Sequence, residues 1–280
     1  MAVTWHNHES CGFVVLNNPP VNAINHNMRE GLISAVKWAE REKLKRVILS
    51  GSGRGFAAGA DTKEFDHPPV SPHLPDVINC IEASTVPWIA AIHGAALGGG
   101  GELALGCRYR IARADATIGF PEVILGLVPG AGATQRLPRL IGLNEALKLI
   151  PTGKTISGKA AMAIGLVDAI DDDPINAAKL IDQKILSELV PLNLTKAGAD
   201  ETVNYDAARQ IAIRRMRGQE APLTSISLLE MAQTTTFDDG MQKERAAFLA
   251  LRASSQARAL RHIFFTERAA KKPPRAIATQ

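Results

Sequence analysis

The chain has 280 residues, 46% of them hydrophobic, 21% charged and 5% aromatic, with a formal net charge of +4. This composition supports one large domain, or a core with a smaller appendage, and excludes an intrinsically disordered chain. Few aromatic rings and the lack of any block of five or more like charges argue against a base-stacking or polybasic surface, so no nucleic-acid partner is expected.

In chain order, residues 12–16 (GFVVL) read as a strand ended by an Asn-Asn-Pro-Pro turn. Asn25 can cap a helix whose apolar face holds Met28, Leu32, Ala35, Val36 and Ala39. Residues 47–49 form the next buried strand, and strand–helix–strand order implies an α/β layer. Four prolines between His67 and Pro75 mark a loop, after which residues 75–84 read as a helix with Val77, Ile78 and Ile81 inward. Strands follow at 88–93, 109–112, 117–119 and 166–170, and helices at 144–150 and 157–164, the latter capped by Ser157 and closed by Gly165. From Pro174 onward strand signals nearly vanish, and residues 177–189, 206–217, 223–234 and 242–266 read as helices. The expected division is an α/β body over 1–190, a helical region over 191–270 and a basic, disordered tail over 271–280.

Cys11, Cys80 and Cys107 are odd in number and contain no C-x-x-C, so neither a disulfide framework nor a zinc site is indicated. A reducing, cytoplasmic setting is the default. The first ten residues lack the layout of a secretory signal, and no apolar run approaches eighteen residues, so no membrane span is expected.

Most motif-like stretches carry nothing. Gly51 to Gly55 is not the G-x-G-x-x-G dinucleotide fingerprint, and Gly153-Lys154-Thr155 lacks the earlier glycine of a phosphate loop, since position 148 is Lys148. Asn193-Leu194-Thr195 is a chance glycosylation triplet without a secretory signal. The seven histidines show no metal spacing, and no G-x-S-x-G hydrolase elbow is present.

Residues 88–135 are different. An apolar strand leads to four consecutive glycines, Gly98 to Gly101, and then to Glu102 on helix-forming sequence. Glycines let a ligand approach the backbone, and the N–H groups opening a helix attract negative charge. A second glycine-bracketed run, residues 57–60, precedes Asp61 and offers another free N–H, so that two converging donors would form an oxyanion hole. Glu102 and Glu122 both lie in apolar sequence. One alone would read as a cap or an ion pair; together they suit proton transfer, because partial burial raises a carboxyl pKa toward neutrality.

The stretches AAGAD (57–61), HGAALGGGGELALGC (93–107) and FPEVILGLVPGAGATQRLPRLIG (120–142) closely resemble the crotonase (enoyl-CoA hydratase/isomerase) superfamily. Residues 248–272 resemble the segment leaving the hydratase domain of multifunctional β-oxidation enzymes, with no Rossmann fingerprint after it. The resemblance implies an α/β fold, a ββα spiral core with a helical C-terminal region, and hydration of 2-enoyl-CoA thioesters in fatty acid β-oxidation, with Δ3-Δ2 isomerase side activity. A hydratase of another catabolic pathway and a non-catalytic RNA-associating member are the alternatives. Carried over by position, Ala60 and Gly99 would supply the oxyanion N–H groups, Glu102 would activate water, and Glu122 would deliver a proton to C2. The coenzyme A tail would lie along Ala58 to Lys63, with Lys63 near its phosphates, and Ala58, Asp61, Thr62, Lys63 and Gly100 would bind substrate. Relatives often carry a larger residue at the position of Gly101, which implies some freedom before Glu102. No metal and no cofactor beyond the coenzyme A of the substrate are implied. The implied assembly is a homo-oligomer, a trimer or hexamer, with a monomer as alternative if the C-terminal helices fold back on their own chain.

Overall fold

The computed structural model describes residues 1–198 and 201–270. Its first strand, β1 (Val3–His8), has no counterpart in the sequence reading: of its residues only Val3 is buried, so no two-residue apolar alternation marks it. It pairs antiparallel with β2 (Cys11–Leu16), which alternates between half-buried and buried positions. Helix α1 (His26–Arg41) then crosses to β3 (Arg46–Gly51), which runs parallel to β2. Asn25 caps α1 by accepting from the Met28 N–H at 3.0 Å, and the five expected apolar side chains are buried.

Helix α2 (Leu74–Ala83) follows the proline loop and buries Val77, Ile78 and Ile81. Strand β4 (Trp88–Ile92) is buried along its whole length, as a central parallel strand covered on both faces must be. From here the chain alternates between two sheets. Strand β5 (Ala95–Leu97) leaves for the smaller sheet and leads into α3 (Gly99–Leu105). Strand β6 (Tyr109–Ala112) returns to the larger sheet and β7 (Thr117–Gly119) to the smaller. After α4 (Ala133–Ile141) and α5 (Leu143–Leu149), β8 (Thr155–Ser157) closes the smaller sheet. Helix α6 (Gly158–Ala163), capped by Ser157, precedes β9 (Ala169–Ile170) at the edge of the larger sheet. The orders are β1-β2-β3-β4-β6-β9 and β5-β7-β8. The expected strand over 166–170 is therefore only two residues long, and the missed strands β5 and β8 are too short to show a period.

Two long helices of the sequence reading are each broken. Residues 177–189 divide into α7 (Pro174–Leu180) and α8 (Gln183–Glu188), because Asp182 is extended and caps α8 by accepting from the Lys184 N–H at 2.9 Å. Helices α9 (Tyr205–Arg215) and α10 (Ala221–Thr234) match expectation. Residues 242–266 divide into α11 (Phe237–Ala253) and α12 (Ser255–Ala270) at Ser254, whose hydroxyl accepts from the Ala257 N–H at 3.0 Å. Serine competes with the helical backbone in this way, and the periodicity of the flanking residues does not reveal it.

Helices α10, α11 and α12 fold back over the body. Leu228, Leu251 and Ala257 share one apolar cluster with Val123, Leu127 and Val128. Burying a leucine or valine side chain contributes about 1.5–3 kcal/mol, so this contact holds the helices firmly. Arg252 adds donors to the carbonyl oxygens of Glu64 at 2.8 Å and Phe65 at 3.0 Å. No described helix is long and apolar enough to cross a membrane. The tail expected to be disordered, 271–280, lies outside the described residues.

Candidate active site

Where α11 crosses the body, a cavity of about 330 Å³ opens between the two glycine-rich segments. Its wall includes Ala60, Gly99, Glu102, Glu122, Arg245 and Phe248. Both predicted carboxylates and both predicted amide donors therefore face one space.

The segment 57–61 is held as an extra strand between two neighbours. The Leu97 N–H donates to the Ala57 carbonyl at 3.0 Å on one side; on the other, the Ile24 N–H donates to the Gly59 carbonyl at 2.8 Å and the Asp61 N–H to the Ile24 carbonyl at 3.1 Å. This pattern skips Ala60, whose N–H finds no protein acceptor among the described residues. Gly99 opens α3, so its N–H is one of the helix's unpaired donors. A β-carbon at position 99 would lie 3.2 Å from the Ala60 nitrogen, so the two amides are neighbours.

The glycine run permits this approach. Gly98 adopts φ +51° and ψ −123°, which strains any side-chain-bearing residue, and a β-carbon there would sit 2.7 Å from Glu122 Oε1. At Gly100 a β-carbon would meet the Ala57 carbonyl oxygen at 2.1 Å, so backbone lies on backbone. The freedom expected at Gly101 is not found: the residue lies inside α3, and a β-carbon would press on the Phe120 ring at 2.9 Å.

Glu102 is 3% exposed, and its Oε1 accepts from the N–H groups of Ala131 at 2.8 Å and Ala133 at 3.1 Å. Burial raises its pKa, while these two donors and the charges of Arg136 and Arg245 oppose the rise. Glu122 sits in a 3-10 helix, Pro121–Leu125, with Oε2 sealed from solvent and without a partner among the described residues. Burial first, and the Glu102 charge second, hold its pKa well above the ordinary glutamate value. Two nearby carboxyls cannot both ionise cheaply, and their environments differ: Glu102 has two N–H donors that favour its charged form, while burial and the Glu102 charge favour the protonated form of Glu122.

A third acid was invisible in the sequence. Glu244 on α11 is 0% exposed and accepts from the Gly132 N–H at 2.6 Å, the Thr134 N–H at 2.9 Å and the Thr134 hydroxyl at 2.6 Å. Burial and the charge of Glu102 push its carboxyl up to about 8. The same loop is gripped by Arg136, which is fully buried, pairs with Glu82 at 2.8 Å and donates to the Ala131 carbonyl at 3.1 Å.

Of the expected substrate-binding residues, Ala58 and Thr62 line the cavity. Asp61, Lys63 and Gly100 do not. Asp61 instead caps a short 3-10 helix, Thr62–Asp66, by accepting from the Lys63 N–H at 3.0 Å. Lys63 is exposed, and Gly100 turns toward Ala57. The sequence reading also missed Arg245, Phe248 and Arg252 on the cavity wall. They lie on one helix far along the chain, and nothing local distinguishes them from an ordinary amphipathic face. Among the described residues, no group of three or more His, Cys, Asp or Glu side chains could hold a metal ion.

The enoyl-CoA hydratase/isomerase family model matches residues 6–215. The peroxisomal bifunctional enzyme of Cavia porcellus is 40% identical over 276 residues, covering 94% of this chain and 38% of that protein. The chain thus spans about two fifths of the length of that relative. A probable enoyl-CoA hydratase of Bacillus subtilis is 45% identical over 162 residues, covering 55% of this chain and 63% of that protein. The crystal structure of an enoyl-CoA hydratase from Thermoplasma volcanium has the same fold, with a TM-score of 0.62, 27% identity and 98% coverage of both chains.

Proposed function

The chain belongs to the enoyl-CoA hydratase/isomerase family and has its crotonase fold, and from that premise we propose that it adds water across the C2–C3 double bond of 2-enoyl-CoA thioesters. One observation carries the reading: two buried carboxyls, one held by two N–H donors and the other with its pKa raised further, line one cavity with two unengaged amides. The N–H groups of Ala60 and Gly99 would bind the thioester oxygen as negative charge develops on it; one such donor is worth about 10²–10³ in rate. Glu102, whose charged form two N–H donors favour, would take a proton from water as its hydroxide adds to C3. Glu122 would give its proton to C2. Moving a proton between two allylic carbons needs the same acid and oxyanion donors, which supports Δ3-Δ2 isomerisation as a side activity.

The coenzyme A portion would pass Ala58 and Thr62, with Lys63 at the rim as a proposed phosphate partner. The chemistry moves only the elements of water, so it requires no further cofactor. Fatty acyl chains are the proposed substrates; a panel of enoyl-CoA thioesters of varied chain and branching separates them from those of another catabolic pathway. Wild-type protein should convert crotonyl-CoA to 3-hydroxybutyryl-CoA. Absence of turnover across the panel, with folded protein, refutes the assignment.

Free Cys11, Cys80 and Cys107 support a reducing, cytoplasmic setting. The peroxisomal name of the Cavia porcellus relative makes the peroxisome the second reading, to be decided by cell fractionation. The back-folded α10–α12 favour a monomer over the homo-oligomer first expected, and light scattering on the eluted protein distinguishes the two.

A further inference from the structure

Four successive backbone N–H groups, those of residues 131–134, are divided between two buried carboxyl groups. Ala131 and Ala133 donate to Glu102 at 2.8 and 3.1 Å, while Gly132 and Thr134 donate to Glu244 at 2.6 and 2.9 Å. Every donor that Glu102 has thus alternates along the chain with one that Glu244 holds. Glu244 does not line the cavity, although its neighbour Arg245 does. A carboxyl with no exposure is costly to bury, and an apolar side chain would fill such a site more cheaply. Burial alone therefore does not account for an acid at this position. What the acid supplies is two acceptor oxygens on a rigid helix, aimed at the loop that orients Glu102.

We infer that Glu244 is a positioning residue for Glu102: by holding the N–H groups of Gly132 and Thr134, it aims those of Ala131 and Ala133 and fixes the Glu102 carboxylate at the cavity wall. The role rests on the proposed hydratase reading. It also explains why α11 belongs to the active unit rather than to a separate helical appendage. Arg136, donating to the Ala131 carbonyl, grips the same loop from the other side.

Glu244→Gln keeps the side-chain shape but replaces one acceptor oxygen with a donor that faces an N–H group. Displacing a reacting group by a fraction of its working distance costs up to about a hundredfold in rate, so kcat for crotonyl-CoA should fall about ten- to a hundredfold with KM within about twofold. In a Glu102→Gln background the same substitution should cost less than about threefold, because residues acting through one another are not additive. Thr134→Val, which removes the hydroxyl that donates to Glu244 and accepts from Gln135 Nε2, should lower kcat severalfold at unchanged KM, and Thr134→Ser, which keeps both bonds, should restore most of it; this pair also serves if Glu244→Gln does not fold. Unchanged kcat in Glu244→Gln, or a loss that recurs in full without Glu102, overturns the positioning role while leaving the hydratase reading intact. Wild-type protein inactive on every enoyl-CoA overturns both.

Discussion

Replacing Glu122 by Gln keeps the volume of a side chain whose Oε2 is buried without a partner, and it removes the proton proposed for transfer to C2. General acid catalysis of this kind contributes about 10²–10⁴-fold, or about 2.7–5.4 kcal/mol at 1.36 kcal/mol per factor of ten. Stability should move the other way. Burial and the Glu102 charge raise the Glu122 pKa, so the folded state binds this proton more tightly than the unfolded chain does. Its contribution is fully present below the ordinary glutamate value and is lost as pH rises through the higher folded value. A glutamine never ionises and escapes that loss. The variant should therefore hydrate crotonyl-CoA at least about a hundredfold more slowly, while its Tm near neutral pH is unchanged or higher. Loss of the enoyl-thioester ultraviolet absorbance measures the first, and thermal melting followed by circular dichroism the second. Turnover near the wild-type rate refutes the assignment of the acid. Lost activity with a Tm lowered by many degrees refutes the account of its burial.

Glu102→Gln should also cost about a hundredfold or more in kcat, measured on the same substrate. Gly98→Ala places a β-carbon 2.7 Å from Glu122 Oε1 at φ +51°, so it should lose about 1–3 kcal/mol to backbone strain and lower kcat by displacing the acid, seen in Tm and turnover together. Arg136→Met leaves Glu82 buried without its ion-pair partner and should cost about 3–5 kcal/mol in urea unfolding. The Glu244 carboxyl, pushed up to about 8, contributes stability that is complete below the ordinary glutamate value and lost as pH rises through that folded value. Melting temperatures from about pH 6 to about pH 9 should therefore decline more steeply in the wild type than in Glu244→Gln.

The features readable along the chain were those made by neighbours in sequence. Asn25 caps α1 from three residues away, and Ser157 caps α6 in the same way. The glycine run and Glu102 sit on one short helix, so their relation follows from helix geometry once the segment is read as helical. Glu122 stands out in the sequence because an acid in apolar surroundings is costly without a purpose. The broken helices at Asp182 and Ser254, and the edge strand β1, escaped notice because caps and strand pairing within a uniform stretch leave no change of period.

What the amino-acid order determined by itself was the inventory: which residues could donate, which could ionise, and which stretches would be strands, helices or bends. Tertiary structure alone decided who meets whom. The Glu244 carboxylate reaches Gly132 across 112 positions of chain, and Arg252 reaches Glu64 across 188. Such contacts depend on burying the apolar face shared by α10, α11, α12 and the segment around Val123, and that burial carries no local signature because any amphipathic helix presents a similar stripe. Closing the fold turned a glutamate that reads as one more charge on a helix into an acceptor for the loop that also donates to Glu102.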